Sequence, residues 1–257
     1  MAELSPDRRA RIAAAFDKAD GYDSAALVQR SAAERLAERV AALPLPDRPR
    51  ILELGCGTGF LTGAIDRAIG PARWTISDIA PAMVDRARMR LNLDADYRVI
   101  DGEAVDPTIG PFDLILSSMA FQWFADLPGA LARLSALLAP GGTIAFSTMA
   151  AGSLAEWADA LAAEGLPSGI PAYPDAPTLA AMAPPGMTAR VAIDDLPEPQ
   201  GDARGFLRGL KTIGAGTAAR GYRPLPPAAL RRAMARFDAG PRLVTYRIGF
   251  CLLSRAA

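Results

Sequence analysis

The stretch Ile51-Leu52-Glu53-Leu54-Gly55-Cys56-Gly57-Thr58-Gly59-Phe60 constrains the fold of this chain more than any other. An apolar run closes on an acidic residue, glycine then occupies every second position, and Phe60-Leu61-Thr62 opens a helical pattern. That order describes a strand, a turn bare of side chains and a helix N-terminus. Glycine at these points lets backbone N–H groups approach a ligand closely. A tight βα turn serving only the fold is the alternative. Spacing rejects two nucleotide signatures: G-x-G-x-x-G would need glycine at Phe60, and no G-K-[ST] follows to make a phosphate loop.

Strand and helix patterns alternate beyond the turn. Residues 73–78, 96–100, 112–117 and 143–149 read as strands. Residues 81–91 read as a helix with proline in its first turn, and 127–138 as a helix closed by Pro140-Gly141-Gly142. The alternation implies an α/β fold, a parallel sheet with helices on both faces. Ligands of such sheets bind at the carboxyl ends of the strands, near the topological switch point. Residues 151–240 change character, with Pro, Ala and Gly dense over 165–199. Helical patterns recur near 153–164, 201–213 and 226–237, and strands at 188–196 and 243–254 complete a seven-stranded sheet.

Composition removes whole classes of function. Formal charge is zero and the basic residues are scattered, which argues against nucleic acid and against a membrane surface. Cys56 and Cys251 lie far apart without C-x-x-C spacing, consistent with a reduced, cytoplasmic location. Residues 1–20 carry charges throughout and do not read as a signal peptide. The chain contains no histidine. Ser-His-Asp and Cys-His nucleophiles, H-E-x-x-H zinc sites and imidazole bases are therefore excluded, and no metal site or catalytic acid–base residue is assigned.

The carboxylates after the turn carry the ligand reading. Asp78 ends the second strand, nineteen residues past Gly59, where a carboxylate can accept both hydroxyls of a ribose. Its alternative is a helix cap before Pro81. Asp101-Gly102-Glu103 follows the third strand, where turn chemistry alone would also account for Asp-Gly.

The pattern E-x-G-x-G-x-G resembles motif I of class I S-adenosylmethionine (SAM) methyltransferases. The resemblance implies a Rossmann-like fold whose seven-stranded, mostly parallel sheet ends in an antiparallel strand. It implies SAM as cofactor, held at Gly55, Cys56, Gly57 and Gly59, with Glu53 toward the methionine ammonium group and Asp78 on the ribose. Asp101, Gly102 and Glu103 would meet the adenine, and Ile79, Met83 and Ser117 complete the implied set. Tyr22, Phe121 and Trp123 are candidates to face the sulfonium, or are ordinary core.

A second resemblance spans nearly the whole chain. Phe16-Asp17-Lys18-Ala19-Asp20-Gly21-Tyr22, with Ala26 and Gln29-Arg30, is similar to the N-terminal helix of the BioC family, malonyl-acyl-carrier-protein O-methyltransferases of biotin synthesis. Ser117-Ser118-Met119-Ala120-Phe121-Gln122-Trp123 resembles that family's S-N-x-A-x-Q-W, and Gly152-Ser153-Leu154 its G-S-L. Leu210-Lys211-Thr212-Ile213-Gly214-Ala215 resembles its L-K-x-I-G-A, and Leu243-Val244-Thr245-Tyr246 its closing L-T-Y strand. Ser118 stands where asparagine is frequent, and Ala80-Pro81 replaces Ser-Pro. Residues 165–185 match nothing in that family.

The resemblance implies one domain over residues 1–257: an N-terminal helical lid (1–48), a cofactor core (49–150) and substrate-side elements (151–257). The substrate would be malonyl-acyl-carrier protein, bound through Gln122, Trp123 and Lys211. An ionised carboxylate needs no general base, so a histidine-free chain can methylate it by alignment and dehydration. Arg204, Arg208 and Lys211 share one helical face, which is a carboxylate site or a solvated edge. Arg223, Arg231, Arg232 and Arg236 are docking candidates or surface charge. Ser153 is read as a helix N-cap paired with Glu156. Tyr22 and Gln29 fall on one face of the lid helix. Two other functions remain open: methylation of another small acid or natural product, and a SAM-binding role like that of complex I assembly factors.

Overall fold

A computed structural model of the chain describes residues 26–212 and 222–256. Tyr22 and Ile213-Gly214-Ala215 lie outside the described residues, and so does the side chain of Lys211. Seven strands form one sheet: β1 Arg50–Leu54, β2 Arg73–Asp78, β3 Ala95–Val99, β4 Phe112–Ser118, β5 Leu138–Met149, β6 Met187–Pro199 and β7 Leu243–Arg255. Their order is β3-β2-β1-β4-β5-β7-β6. The first five run parallel, and β7 runs antiparallel to both β5 and β6. The expected antiparallel final strand is therefore present.

Eight helices occur among the described residues: α1 Leu27–Ala41, α2 Phe60–Ile69, α3 Pro81–Leu91, α4 Leu127–Ser135, α5 Ala155–Ala162, α6 Ala176–Ala181, α7 Ala203–Thr212 and α8 Pro227–Ala239. None is long and apolar enough to cross a membrane. Successive strand residues feed opposite faces of the sheet. Ile51, Ile76, Leu114 and Phe250 pack with α1, α2, α5, α7 and α8, while Leu52, Ile115, Ile144 and Leu253 pack with α4 and α6. Because both faces are covered, the central strands read as unbroken apolar runs.

The structure shifts several expected boundaries. α4 stops at Ser135, and Pro140-Gly141-Gly142 lies inside β5 rather than closing a helix. The β4–β5 register jumps between Phe112↔Leu138 and Leu114↔Thr143, and this irregularity absorbs the Pro-Gly-Gly, with Gly141 at φ 74°. α6 arises inside the proline-rich segment, where Asp175 caps the N–H of Thr178 at 2.9 Å and a proline occupies the first turn. α1 is a packed helix: Val28, Ala32, Leu36 and Val40 are buried on one face. Residues 27–41 thus pack one face against the body of the fold, the packing alternative for this N-terminal helix.

Candidate active site

The strand order reverses between β1 and β4, so the turns after these two strands meet at the carboxyl edge of the sheet. They touch closely. A Cβ on Gly55 would fall 2.5 Å from Cβ of Ala120, and Gly55, Gly57 and Gly59 have φ of 74°, 53° and 87°. A side chain at Gly55 would meet both left-handed strain and Ala120, and one at Gly59 both left-handed strain and the Leu91 side chain. The turn is pinned by Cys56 N–H to the Ser77 carbonyl (2.9 Å), Gly59 N–H to the Cys56 carbonyl (2.8 Å) and Gly57 N–H to Asp78 Oδ2 (2.9 Å).

Asp78 joins β1's turn to the end of β2. Its second oxygen accepts the Ala80 N–H at 2.9 Å. Ala80, not Asp78, is the cap of α3, so the helix-cap alternative does not describe this side chain. A carboxylate offers about four acceptor directions, so two backbone bonds are compatible with a ligand diol. Ile79 and Asp101 are half-buried beside it, and Asp101 accepts the Glu103 N–H at 2.9 Å. Gly102 is required for packing, since a Cβ would stand 2.6 Å from the Phe124 ring.

Other residues of the expected cofactor set are turned into the fold. Glu53 is 1% exposed, accepts a hydrogen bond from Thr62 Oγ1, and is pushed by burial from 4.5 to about 8. Its carboxyl lies beneath the turn, where burial disfavours the charged form. Burial dominates the shift, with the negative charge of Asp78 adding to it. Glu103 accepts the N–H groups of Ala125 and Asp126, each at 3.0 Å, and so clamps the chain before α4. Ser117 is fully buried and donates to the Leu54 carbonyl at 2.9 Å, tying β4 to β1. Met83 is 1% exposed, and the buried Cys56 has its thiol pKa pushed well up by desolvation. All five side chains are buried, and Glu53, Glu103 and Ser117 each make hydrogen bonds within the fold. Thr62, which closes over Glu53, went unnoticed in the sequence although it stands in the first turn of α2.

Beside the crevice lies a cavity of about 390 Å³. Met119, Gln122, Trp123, Met149, Trp157 and Tyr246 line it together with Tyr173, Leu207, Tyr222 and Leu230. Gln122 and Trp123 come from a 3₁₀ turn, Phe121–Trp123, directly after β4. Met119 precedes it with φ 54°, its N–H held by the Ser147 carbonyl at 3.0 Å. The Gln122 amide is oriented at both ends: Nε2 donates to the Met119 carbonyl at 2.6 Å, and Oε1 accepts from Thr148 Oγ1 at 3.4 Å. Phe121 points the other way, 1% exposed against Phe124 and Phe146, which is the core reading for that ring. Gln29 of α1 reaches the cavity wall.

The lining contains no charged side chain among the described residues. Burial holds Tyr173 at about 12 and pushes Tyr246 higher still. Arg204 and Arg208 are exposed on α7 and do not enter the wall, which Leu207 and Leu210 form instead. Lys211 belongs to the last turn of that helix. Ser153 overturns its expected cap role: Leu154 precedes α5 in a left-handed conformation, and Ser153 Oγ donates to Ala150 and Arg247 carbonyls (2.9 Å each). Glu156 instead accepts the Thr245 N–H at 2.9 Å. No cluster of metal-binding side chains occurs among the described residues.

Residues 51–142 match a methyltransferase domain family. The chain is 47% identical over 251 residues to the biotin biosynthesis bifunctional protein BioCD of Bordetella avium, covering 97% of this chain and 53% of that protein. The chain thus spans about half the length of the bifunctional relative. It is 39% identical over 255 residues to a malonyl-[acyl-carrier protein] O-methyltransferase of Magnetococcus marinus, covering 97% of this chain and 94% of the relative. The fold is shared with the YcgJ protein from Bacillus subtilis (TM-score 0.57, 13% identity, 86% of this chain and 98% of that chain). It is also shared with the plantazolicin methyltransferase BpumL (TM-score 0.55, 13% identity, 98% and 100%). With fold, turn and near-full-length similarity in agreement, the chain belongs to the BioC family of class I methyltransferases.

Proposed function

We propose that this protein transfers a methyl group from SAM to the free carboxylate of malonyl-acyl-carrier protein, as its relatives' names describe. Residues 49–150 hold the cofactor and lend Gln122 and Trp123 to the acceptor cavity, whose remaining wall comes mostly from the substrate-side elements of 151–257. The donor set of the crevice suits SAM: carboxylates stand at the ends of β2 and β3, which fits a cationic ligand with ribose hydroxyls and an amine. Asp78 binds the ribose, Asp101 and Gly102 border the adenine with Ile79, and the Gly55–Gly59 turn approaches the methionine part. When bound, SAM supplies an electrophilic methyl group on a sulfonium.

The chain's own contribution is positional. A carboxylic acid with a pKa near 4 is ionised at neutral pH, so no residue need take its proton. Gln122, held at both amide ends, orients the acceptor, and Trp123 with the surrounding apolar wall strips water from the carboxylate. Lys211 is assigned to the acceptor carboxylate from the end of α7.

The observation that carries this reading is a cavity whose described lining residues include no carboxylate and whose buried Tyr173 and Tyr246 have their pKa raised, so that neither is ionised to act as a base at neutral pH. Such a wall supports a nucleophile that arrives already ionised. An amine or phenol would need a base there. Incubation of the purified protein with malonyl-carrier protein and labelled SAM should yield a methyl ester. Its turnover should be nearly level between about pH 6 and 8, where the acid stays ionised. No ester at any enzyme concentration would sink the proposal.

A further inference from the structure

We infer that the rim of the acceptor cavity is a docking face for an acidic protein that delivers the substrate on a flexible arm. This rests on the carrier-protein reading above and gives it a surface. Between Ala203 and Phe237 the chain has eight arginines and lysines and no aspartate or glutamate, although its 28 basic and 28 acidic residues balance overall. The charge is therefore concentrated in one stretch, and that stretch supplies Leu207, Leu210, Tyr222, Leu225 and Leu230 to the cavity wall.

Six of these side chains are described, and they fall into two groups. Arg232 and Arg236 both donate to Glu164 at 3.0 Å and tie α8 to the end of α5. Arg208, Arg223 and Arg231 are exposed, and each is the chain neighbour of a wall residue: Leu207, Tyr222 and Leu230 respectively. Arg204 is exposed one helical turn before Arg208. The apolar side chains at these positions face the cavity while their neighbours carry positive charge outside it. A malonyl group alone would gain nothing from charges beyond the wall. A macromolecule seated on the mouth would, because rim charges steer encounter and set register.

The segment that closes this mouth has its own fixed contact. Gly169, at φ 68°, lies under the Tyr222 ring, where a Cβ would fall 2.7 Å from a ring carbon. The 168–173 chain and residue 222 therefore form one continuous edge next to Arg223.

The test compares the wild type with R208E/R223E/R231E. Affinity for malonyl-carrier protein is measured by fluorescence anisotropy, and turnover is measured on the carrier-bound and the pantetheine thioester of malonate. Charge reversal should weaken carrier binding about tenfold or more and flatten its salt dependence, while pantetheine thioester kinetics stay within about twofold. The glutamine triple variant should show a smaller loss in the same direction. Carrier affinity unchanged by charge reversal would overturn the docking face. So would an equal loss on both substrates. A wild type that binds carrier protein through these arginines but forms no ester would instead overturn the methylation reading and leave the docking face standing.

Discussion

At the β1–β2 end of the sheet the crevice is held by hydrogen bonds from backbone N–H groups within a few tens of residues: Gly57 to the Asp78 carboxylate, Cys56 to the Ser77 carbonyl and Glu103 to the Asp101 carboxylate. At the β5–β7 end the cavity wall is made by side chains drawn from Gln29 to Tyr246, through α1, the 3₁₀ turn, α5, α7 and α8. The first region depends on conformations that only particular residues adopt. The second depends on volume and packing, which many apolar residues can satisfy. The cofactor side is thereby written in residue identity, and the acceptor side in assembly.

Trp157→Ala should be the costliest single change to the acceptor side. The ring lies edge-on to Phe206 at 5.8 Å and Phe237 at 5.9 Å, joining α5, α7 and α8. Truncation should remove about 3–5 kcal/mol in urea unfolding, with SAM affinity near that of the wild type while the chain is folded. Gly55→Ala inverts the pattern. Left-handed strain and the clash with Ala120 should cost about 3 kcal/mol and also abolish SAM binding, measured by calorimetry. If Trp157→Ala lost cofactor affinity as fully as Gly55→Ala, the two regions would not be separable.

A smaller effect tests the buried acid under the turn. Glu53 has a folded pKa of about 8 against an ordinary 4.5. Between these values the native state holds a proton that the unfolded chain has released, so stability falls as pH rises through this window. Glu53→Gln should remove the decline, and the variant's unfolding midpoint should gain on the wild type from pH 5 to 8. Parallel curves would show that Glu53 is ionised in the fold.

These differences explain what could be read from the chain before its structure. Gly55, Gly57 and Gly59 announced the turn because left-handed backbone selects glycine, and Asp78 followed at the end of an apolar strand. The sheet was legible because its central strands β1 and β4 are apolar on both faces. Glu53, Glu103 and Ser117 carried the right chemistry for a ligand, but burial turned each toward a neighbouring strand or loop. Sequence alone does not say which side of a turn a side chain takes. Tyr173, Leu207 and Leu230 gave no signal, since each is an ordinary apolar or aromatic residue until α7, α8 and the 168–173 segment converge. Ser153 resembled a cap because its spacing to Glu156 fits one, yet both residues bond to β7.

The central claim is that one half of the site holds SAM and the other orients the acceptor. Its most direct measurement is SAM affinity and malonyl-carrier-protein turnover for Asp78→Ala and Gln122→Ala side by side. The account predicts that Asp78→Ala loses SAM binding by about tenfold or more, and that Gln122→Ala binds SAM like the wild type while turnover falls by a similar factor. Undiminished SAM binding by Asp78→Ala, or loss of cofactor and turnover together in Gln122→Ala, would contradict it.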